Sequence, residues 1–125
     1  MTIKDLIGFQ MVSITEEKIV VRKDGVEHVL DIVEYEGDCC GFNTIERLLM
    51  IDAEELSRNP VITDIVRRDP DYGGEGDACE ITFFGESKPL AALNTYSRRG
   101  SGWQYGATVR IVCKPIGLDE TLSSW

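Results

Sequence analysis

The chain is short of histidine, of paired cysteines and of long apolar runs, and each shortage removes a class of function. Its four cysteines include the neighbours Cys39 and Cys40 but no CxxC spacing, so the paired ligands of a structural zinc site are missing. We expect reduced, mostly buried thiols and neither a metal nor another cofactor. No basic stretch followed by an apolar one opens the chain, and no run reaches the length of a membrane span. These absences predict a cytoplasmic protein that is not bound to a membrane.

Sequence signatures of catalysis are also missing, because the chain has no P-loop, GxSxG or HExxH motif. The one histidine, His28, shares a predicted strand face with Val26, Leu30 and Ile32, since side chains alternate along a strand. We expect a half-buried strand residue rather than a general base. The sequence therefore predicts a protein that is not an enzyme.

The patterns that are present predict a single domain with an α+β fold, mainly antiparallel sheet with one or two short helices. A chain of 125 residues with 42% apolar residues can bury a core without disulfides. The pair Asp24-Gly25 lies between two β-branched runs and predicts a tight hairpin. In "DAEELSRNP", Asp52 can cap a short helix with Glu55 at the reciprocal capping-box position, and the proline ends it. Extended segments are predicted over "VITDIVRR", "CEITFFGE", "LAALNTY" and "YGATVRIVCK".

The acidic, glycine-rich segment "DPDYGGEGDA" over residues 69–78 invites comparison with a calcium-binding loop. Counted from Asp69, the EF-hand template is matched by Asp71, Gly74 and Glu80, but Gly73 stands where a further oxygen ligand is needed. The flanking segments are predicted as strands rather than as two helices. A solvated acidic loop is therefore the better interpretation, and we expect no metal site there.

Acidic residues are absent from one long segment of an otherwise acidic chain. The net charge is −9; residues 1–86 hold 20 acids and 8 bases, whereas residues 87–118 hold 5 bases and no acid. The overall charge disfavours long nucleic acids and anionic membranes, whose binding depends on neutralising phosphates. A local positive pocket on an acidic body would instead admit a small anion and repel a polyanion.

Arginine forks suit phosphates and aromatic rings suit a purine, so the acid-free segment supplies candidate binding residues for a nucleotide-like anion. These are Arg98, Arg99, Trp103, Tyr105, Arg110 and Lys114. On the predicted last strand of the segment, Arg110 and Lys114 share one face, and Ala107, Val109, Ile111 and Cys113 share the other. The alternative interpretation stays open: "RRGSG" is also typical of a hairpin turn with surface charge, and Trp103 is typical of a core residue.

The order of segments "EGDCCG", "DAEELSRN", "VITDIV", "ITFFGE" and "GSGWQYGATVRIVC" resembles a family of small α+β phage proteins that includes the anti-Thoeris sponges. The resemblance implies sequestration, without cleavage, of the cyclic ADP-ribose isomers that signal bacterial antiphage immunity. It also implies a homo-oligomer in the cytoplasm of the host cell. Among the site residues, it points to Phe84, Asn94 and Arg110, with Arg58 of a neighbouring subunit as a phosphate contact.

Two rival functions remain at this stage. The 20 acids and 8 bases of residues 1–86, a net charge of −12, also suit an inhibitor that covers a basic site on a host defence protein. The carboxylates of residues 69–78 would suit a metal-dependent nucleotide hydrolase. A further expectation concerns Trp125, whose large apolar ring is predicted to pack against a second subunit.

Overall fold

Antiparallel β-strands make up most of the structure. The computed structural model describes residues 1–36, 41–71, 76–99 and 106–125. Strands account for 63% of it and helices for 11%, which confirms the expected mainly antiparallel sheet. The helical part of the predicted α+β fold consists of one short α-helix and two 3-10 turns in the described residues.

The strands are β1 Gln10–Ile14, β2 Ile19–Lys23, β3 Val26–Glu36, β4 Gly41–Leu49, β5 Asp64–Arg68, β6 Asp77–Gly85, β7 Lys88–Arg99, β8 Ala107–Cys113 and β9 Leu118–Ser124. The α-helix is α1 Ala53–Ser57, and the 3-10 turns are Ile3–Leu6 and Lys114–Ile116. Within the described ranges, no helix has the length and apolar character needed to cross a membrane.

Two sheets face each other. One has five strands in the order β1-β2-β3-β8-β9, and the other has four in the order β4-β7-β6-β5. Each contains a three-strand meander, β1-β2-β3 in the first sheet and β5-β6-β7 in the second. The hairpin predicted at Asp24-Gly25 is confirmed, with φ of 51° and 79° at its two turn residues. Glu86 and Ser87, with φ of 47° and 70°, make the corresponding two-residue turn between β6 and β7, since both positions need positive φ in this turn type.

The core lies between the sheets and draws on both. Its largest fully buried side chains include Leu30 and Ile111 from the first sheet and Ile81, Phe83 and Leu93 from the second. Burying each such side chain contributes about 1.5–3 kcal/mol. This inward face leaves the alternate residues of every central strand on the outside of the sandwich, and those outer faces are the surfaces available for binding.

The predicted faces of β8 are confirmed for the strand itself. Ala107, Val109, Ile111 and Cys113 are buried, whereas Arg110 is partly exposed on the other side. Lys114 corrects the expectation in part, because β8 ends at Cys113 and Lys114 begins a 3-10 turn.

A buried polar network also joins the two sheets. Ser97 on β7 and Ser123 on β9 have fully buried side chains whose oxygens lie 2.6 Å apart. Thr95 donates to Ser123 Oγ at 3.0 Å, and Ser97 donates to Asn43 Oδ1 at 2.7 Å. Asn43 in turn donates to the backbone carbonyl of Thr108 at 3.1 Å. Every hydroxyl in the network has a partner, so the polar groups stay buried at little cost.

Two arginines on the second sheet reach backbone carbonyls of the first. Arg67 on β5 donates to the carbonyls of Thr121 and Leu122 at 3.3 and 3.0 Å. Arg47 on β4 donates to the carbonyl of Glu16 at 2.5 Å, while its buried Nε has no hydrogen-bond partner in the described structure. Each open side of the sandwich is therefore bridged by a guanidinium.

The short helix follows its predicted capping signal in one half. Asp52 Oδ1 accepts a hydrogen bond from the backbone N–H of Glu55 at 2.7 Å. The reciprocal half of the predicted capping box is wrong, because the Glu55 carboxylate binds Lys88 Nζ instead. The lysine that begins β7 competes for the carboxylate that would otherwise complete the capping box at the start of the helix.

Candidate functional site

The outward face of the four-stranded sheet carries a shallow cavity of about 620 Å³, a size that suits a small organic ligand. β4, β7 and β6 lie side by side there, and their register aligns Glu46, Asn94 and Glu80 in one row across the sheet. Thr44, Tyr96 and Ala78 form the next row and complete most of the lining. Side chains alternate between the core and the outer face along each strand, so the register of the three strands positions both rows.

The row centred on Asn94 is rich in hydrogen-bond acceptors. Asn94 Nδ2 donates to Glu46 Oε1 at 3.2 Å, and Asn94, Glu46 and Glu80 all line the cavity. Glu80 faces Arg68 of β5 on its other side. Carboxylates and amide oxygens accept from hydroxyl and amino groups. This row can therefore hold the hydroxyls of a sugar or the amino edge of a base, and it disfavours a phosphate.

The ring of Tyr96 is packed directly over the backbone of Gly76. A Cβ at Gly76 would lie 2.5 Å from Tyr96 Oη and 2.6 Å from Cζ, distances that no real side chain tolerates. Any larger residue at position 76 would therefore displace this ring. Ala78, nearly buried and directly opposite Tyr96 in the register, leaves a low surface beside the ring. The arrangement offers a planar ligand a surface to lie against.

Arg98 lies at one end of this face, four residues along β7 from Asn94. Its guanidinium carbon stands 4.2 Å from the centroid of the Phe42 ring, and register places the two residues opposite each other on β7 and β4. Arg98 is exposed and makes no ion pair with any described residue. A guanidinium in contact with an aromatic ring keeps N–H groups that can bind an anion.

The other predicted site residues do not gather around Arg98. Phe84 is on the same outer face but at the opposite end of β6, next to the turn into β7. Arg58 follows α1 and pairs with Glu54 at 2.9 Å in an exposed position. The side chain of Arg99 and all of Trp103 and Tyr105 lie outside the described residues.

Arg110 and Lys114 belong to the first sheet and its following turn, not to the sheet that carries Asn94. Arg110 donates from Nε to Asp119 Oδ1 at 3.0 Å and from Nη2 to Asp119 Oδ2 at 2.9 Å. Lys88, from the start of the acid-free segment, binds Glu55. The segment expected to keep its charge uncompensated is thus divided between two sheets, and acids from elsewhere in the chain neutralise part of it.

Glu46, Glu80, Tyr96 and Phe42 were missed by sequence reasoning. The segment "NTIERLL" offers no alternating signal for β4, because the polar Arg47 is half-buried whereas Leu48 and Leu49 are exposed. Glu80 was considered only as a calcium ligand. It lies within β6, and no cluster of three or more metal-binding side chains occurs in the described ranges.

Cys79, Cys113 and His28 are packed within the fold and do not line the candidate site. Burial raises the pKa of the Cys79 thiol to about 12, against a smaller opposing effect of Arg67. Cys113 is also buried, with its pKa raised chiefly by desolvation. The half-buried His28 ring packs 6.2 Å from Phe9, as predicted for a strand residue. Cys39 and Cys40 lie outside the described residues.

The chain was compared with protein-family models, with curated proteins and with solved structures, and none of the three comparisons gives a match.

Proposed function

We propose that the chain binds a small phosphorylated nucleotide on the outer face of the four-stranded sheet and sequesters it without cleaving it. The observation that carries the proposal is the order of outward side chains on β7: Asn94, Tyr96 and then Arg98. At about 3.3 Å per residue they span about 13 Å, comparable with the length of a nucleotide. The hydrogen-bond acceptors around Asn94 match the amino edge of a base. The Tyr96 ring matches a flat heterocycle, and the Arg98 guanidinium matches a phosphate.

The charges on this face support a ligand whose anionic part is small and lies at one end. Glu46 and Glu80 repel phosphates from the middle of the face, whereas Arg98 attracts them to its end. A polyanion such as RNA would meet the carboxylates wherever it crossed the row. The same row accepts hydrogen bonds from ribose hydroxyls and from an adenine amino group.

The sequestering role extends the resemblance to the anti-Thoeris sponges. A cyclic ADP-ribose isomer combines two phosphates, a purine and riboses, and each has a complementary group on the described face. The side chains lining the cavity are Thr, Glu, Ala, Asn and Tyr, which suit recognition better than nucleophilic attack. We place this function in the cytoplasm of a phage-infected bacterium.

Isothermal titration calorimetry with cyclic ADP-ribose isomers tests the proposal, with linear ADP-ribose and adenosine as comparison ligands. We expect the phosphorylated compounds to bind and adenosine to bind more weakly, because it lacks the phosphate that Arg98 would hold. After heat denaturation the ligand should be recovered intact. A failure of all nucleotides to bind would remove the proposal, and recovery of a cleaved product would make the protein an enzyme.

Two arginine variants locate the site. Arg98→Ala should weaken the binding of phosphorylated ligands by about ten- to a hundredfold, as expected when a charge-assisted contact is lost. Arg110→Ala is the matched control, since it removes a guanidinium from the same acid-free segment but from the other sheet, where Asp119 already engages it. An effect of Arg110→Ala alone would place the ligand on the first sheet.

A further inference from the structure

One edge of the four-stranded sheet is open for pairing. β4 is the outermost strand of this sheet, and within the described ranges only β7 pairs with it. The backbone N–H of Met50 donates to the carbonyl of Leu90 at 2.9 Å. In an antiparallel pair every second residue bonds to the partner strand, and the residues between direct their N–H and C=O groups the other way. The backbone groups of Ile45, Arg47 and Leu49 therefore point away from β7.

Contacts at Asn43 and Arg47 show how far this edge is open. The N–H of Asn43 also points away from β7, and it donates to the Glu36 carboxylate at 3.0 Å, which closes the start of the edge. An inward-pointing charge often protects an edge strand. Arg47, however, already lies between the two sheets, where it donates to the carbonyl of Glu16, so strand addition would bury no further charge. The backbone from residue 45 to residue 49 remains available.

The far end of this edge is apolar. Leu48, Leu49 and Met50 follow one another and are 41%, 40% and 49% exposed. β5, the opposite edge strand of the same sheet, has only five residues, and three of them are charged, which is typical of an edge protected against pairing. Consecutive exposed apolar residues beside unpaired backbone groups are instead typical of a surface that another chain covers.

The surroundings of the β4 edge are acidic. Glu46 lies on β4, Glu36 and Glu16 contact residues of the edge, and Glu17 follows Glu16 in the turn between β1 and β2. All four are exposed, and none forms an ion pair with a residue that the structure describes. Lys18 is the one base in that turn. These charges favour a basic occupant and disfavour a further copy of a chain whose own charge is −9.

We propose that the β4 edge binds an extended, basic segment of another protein as an additional antiparallel strand. Main-chain hydrogen bonds to Ile45, Arg47 and Leu49 provide the affinity, and pockets for alternate side chains provide the selectivity. Glu46 and Leu48 then belong to the pairs without mutual hydrogen bonds, in which side chains approach most closely. The bound segment therefore carries a lysine or arginine opposite Glu46 and an apolar residue two positions away, opposite Leu48.

Amide hydrogen exchange, followed by NMR on the full chain, tests the proposal with the acetylated and amidated peptide TVTKTVT. Its lysine lies two positions from a valine on either side, as the edge requires. In the chain alone, the amides of Ile45, Arg47 and Leu49 should exchange rapidly, and saturating peptide should slow them by at least about tenfold. The amides of Glu46 and Leu48, which bond to β7, are the internal control and should be protected throughout.

Two altered peptides separate the backbone contribution from the charge. TVTETVT should bind at least about tenfold more weakly, because glutamate replaces lysine beside the carboxylates. A TVTKTVT peptide that is N-methylated at alternate residues keeps every side chain but cannot pair with β4, so it should not bind. In the protein, Leu49→Pro removes one outward N–H, a change that an edge strand tolerates, and should weaken binding more than the matched Leu49→Ala. Circular dichroism shows whether both variants are folded.

Four outcomes overturn the proposal. They are unchanged exchange at millimolar peptide, equal binding of the glutamate or N-methylated peptide, a folded Leu49→Pro variant that binds like Leu49→Ala, and protection that rises with protein concentration in the absence of peptide. The last outcome would assign the edge to a second copy of the chain. None of these experiments contains a nucleotide, so this proposal and the proposed function fail separately.

Discussion

Arg67 and Glu120 join the two sheets at one open side of the sandwich, with Arg67 Nη1 lying 2.9 Å from Glu120 Oε2. Both side chains are mostly buried, at 26% and 18% exposure. Arg67 also binds Asp69 through Nε at 3.2 Å, and Glu120 accepts from the backbone N–H of Ile3 at 3.1 Å. One ion pair therefore connects β5, β9 and the N-terminal 3-10 turn.

Replacing Arg67 should destabilise the protein strongly. Arg67→Met keeps much of the side-chain length but leaves the Glu120 carboxylate and two carbonyls without their donor, and we expect a loss of about 2–4 kcal/mol. Urea unfolding monitored by circular dichroism measures it. Arg22→Met is the control, because it breaks an exposed pair with Glu27 and should cost less than about 1 kcal/mol. Equal effects of the two changes would contradict the bridging role of Arg67.

Stability should fall at alkaline pH because of Cys79. Burial raises the pKa of this thiol from 9.0 to about 12, so only the unfolded chain ionises between these values. The contribution of Cys79 is fully present below pH 9.0 and is lost as the pH rises towards about 12. The slope from this group is at most about 1.4 kcal/mol per pH unit.

Urea unfolding at a series of alkaline pH values, with the wild-type chain and Cys79→Ala, measures this slope. The variant should be less stable at neutral pH, since it leaves a small cavity, but its stability should fall less steeply above pH 9.0. A wild-type slope that Cys79→Ala leaves unchanged would assign the alkaline titration to other groups.

Gly76→Ala should displace the Tyr96 ring and with it the flat part of the proposed binding face. Because the added methyl would lie 2.5 Å from the Tyr96 hydroxyl oxygen and 2.6 and 2.7 Å from two ring carbons, we expect a cost of about 1–3 kcal/mol in stability and weaker nucleotide binding. A double-mutant cycle with Tyr96→Ala isolates the contact. In the Tyr96→Ala background the same substitution should have little effect on stability, and a cost that persists there would show that the strain lies elsewhere.

Phe42 should influence phosphate binding through Arg98. Phe42→Leu removes the ring 4.2 Å from the guanidinium while keeping an apolar side chain, so Arg98 loses its support but not its charge. We expect a three- to tenfold loss of affinity for cyclic ADP-ribose isomers, about 0.5–1.5 kcal/mol. Calorimetry should show no change for adenosine, which has no phosphate for Arg98. Equal losses for both ligands would mean that Phe42 contacts the base.

Local signals in the sequence predicted local structure well. The turn at Asp24-Gly25 was readable because both residues readily adopt positive φ. The equivalent turn at Glu86-Ser87 was not, since glutamate and serine rarely adopt that conformation and the tight register of β6 on β7 imposes it. Asp52 was readable as a helix cap, but the partner of Glu55 was not, because Lys88 is 33 residues away in sequence.

The candidate site was predicted only in part, because it too depends on contacts between residues that are far apart in sequence. Arg98 was selected from its residue type and Asn94 from the resemblance, and the two share one strand face. The division of β7 and β8 between different sheets depends on long-range pairing that spacing does not encode. Charge counting also treated Arg110 as free, because its partner Asp119 lies just beyond the acid-free segment and meets it only across the β8–β9 hairpin.

The buried hydroxyls of Thr95, Ser97 and Ser123 have a consequence for strand slippage. If β7 slipped by one residue against its neighbours, Asn94 and Tyr96 would turn into the core, and Thr95 and Ser97 would turn outward. Apolar contacts alone would resist that slip only weakly near this end of the strand, because the residues on both of its faces are polar there. The hydroxyl network has a single alignment in which all its members are satisfied. The network therefore fixes the register of β7, and the order of Asn94, Tyr96 and Arg98 on the outer face depends on that register.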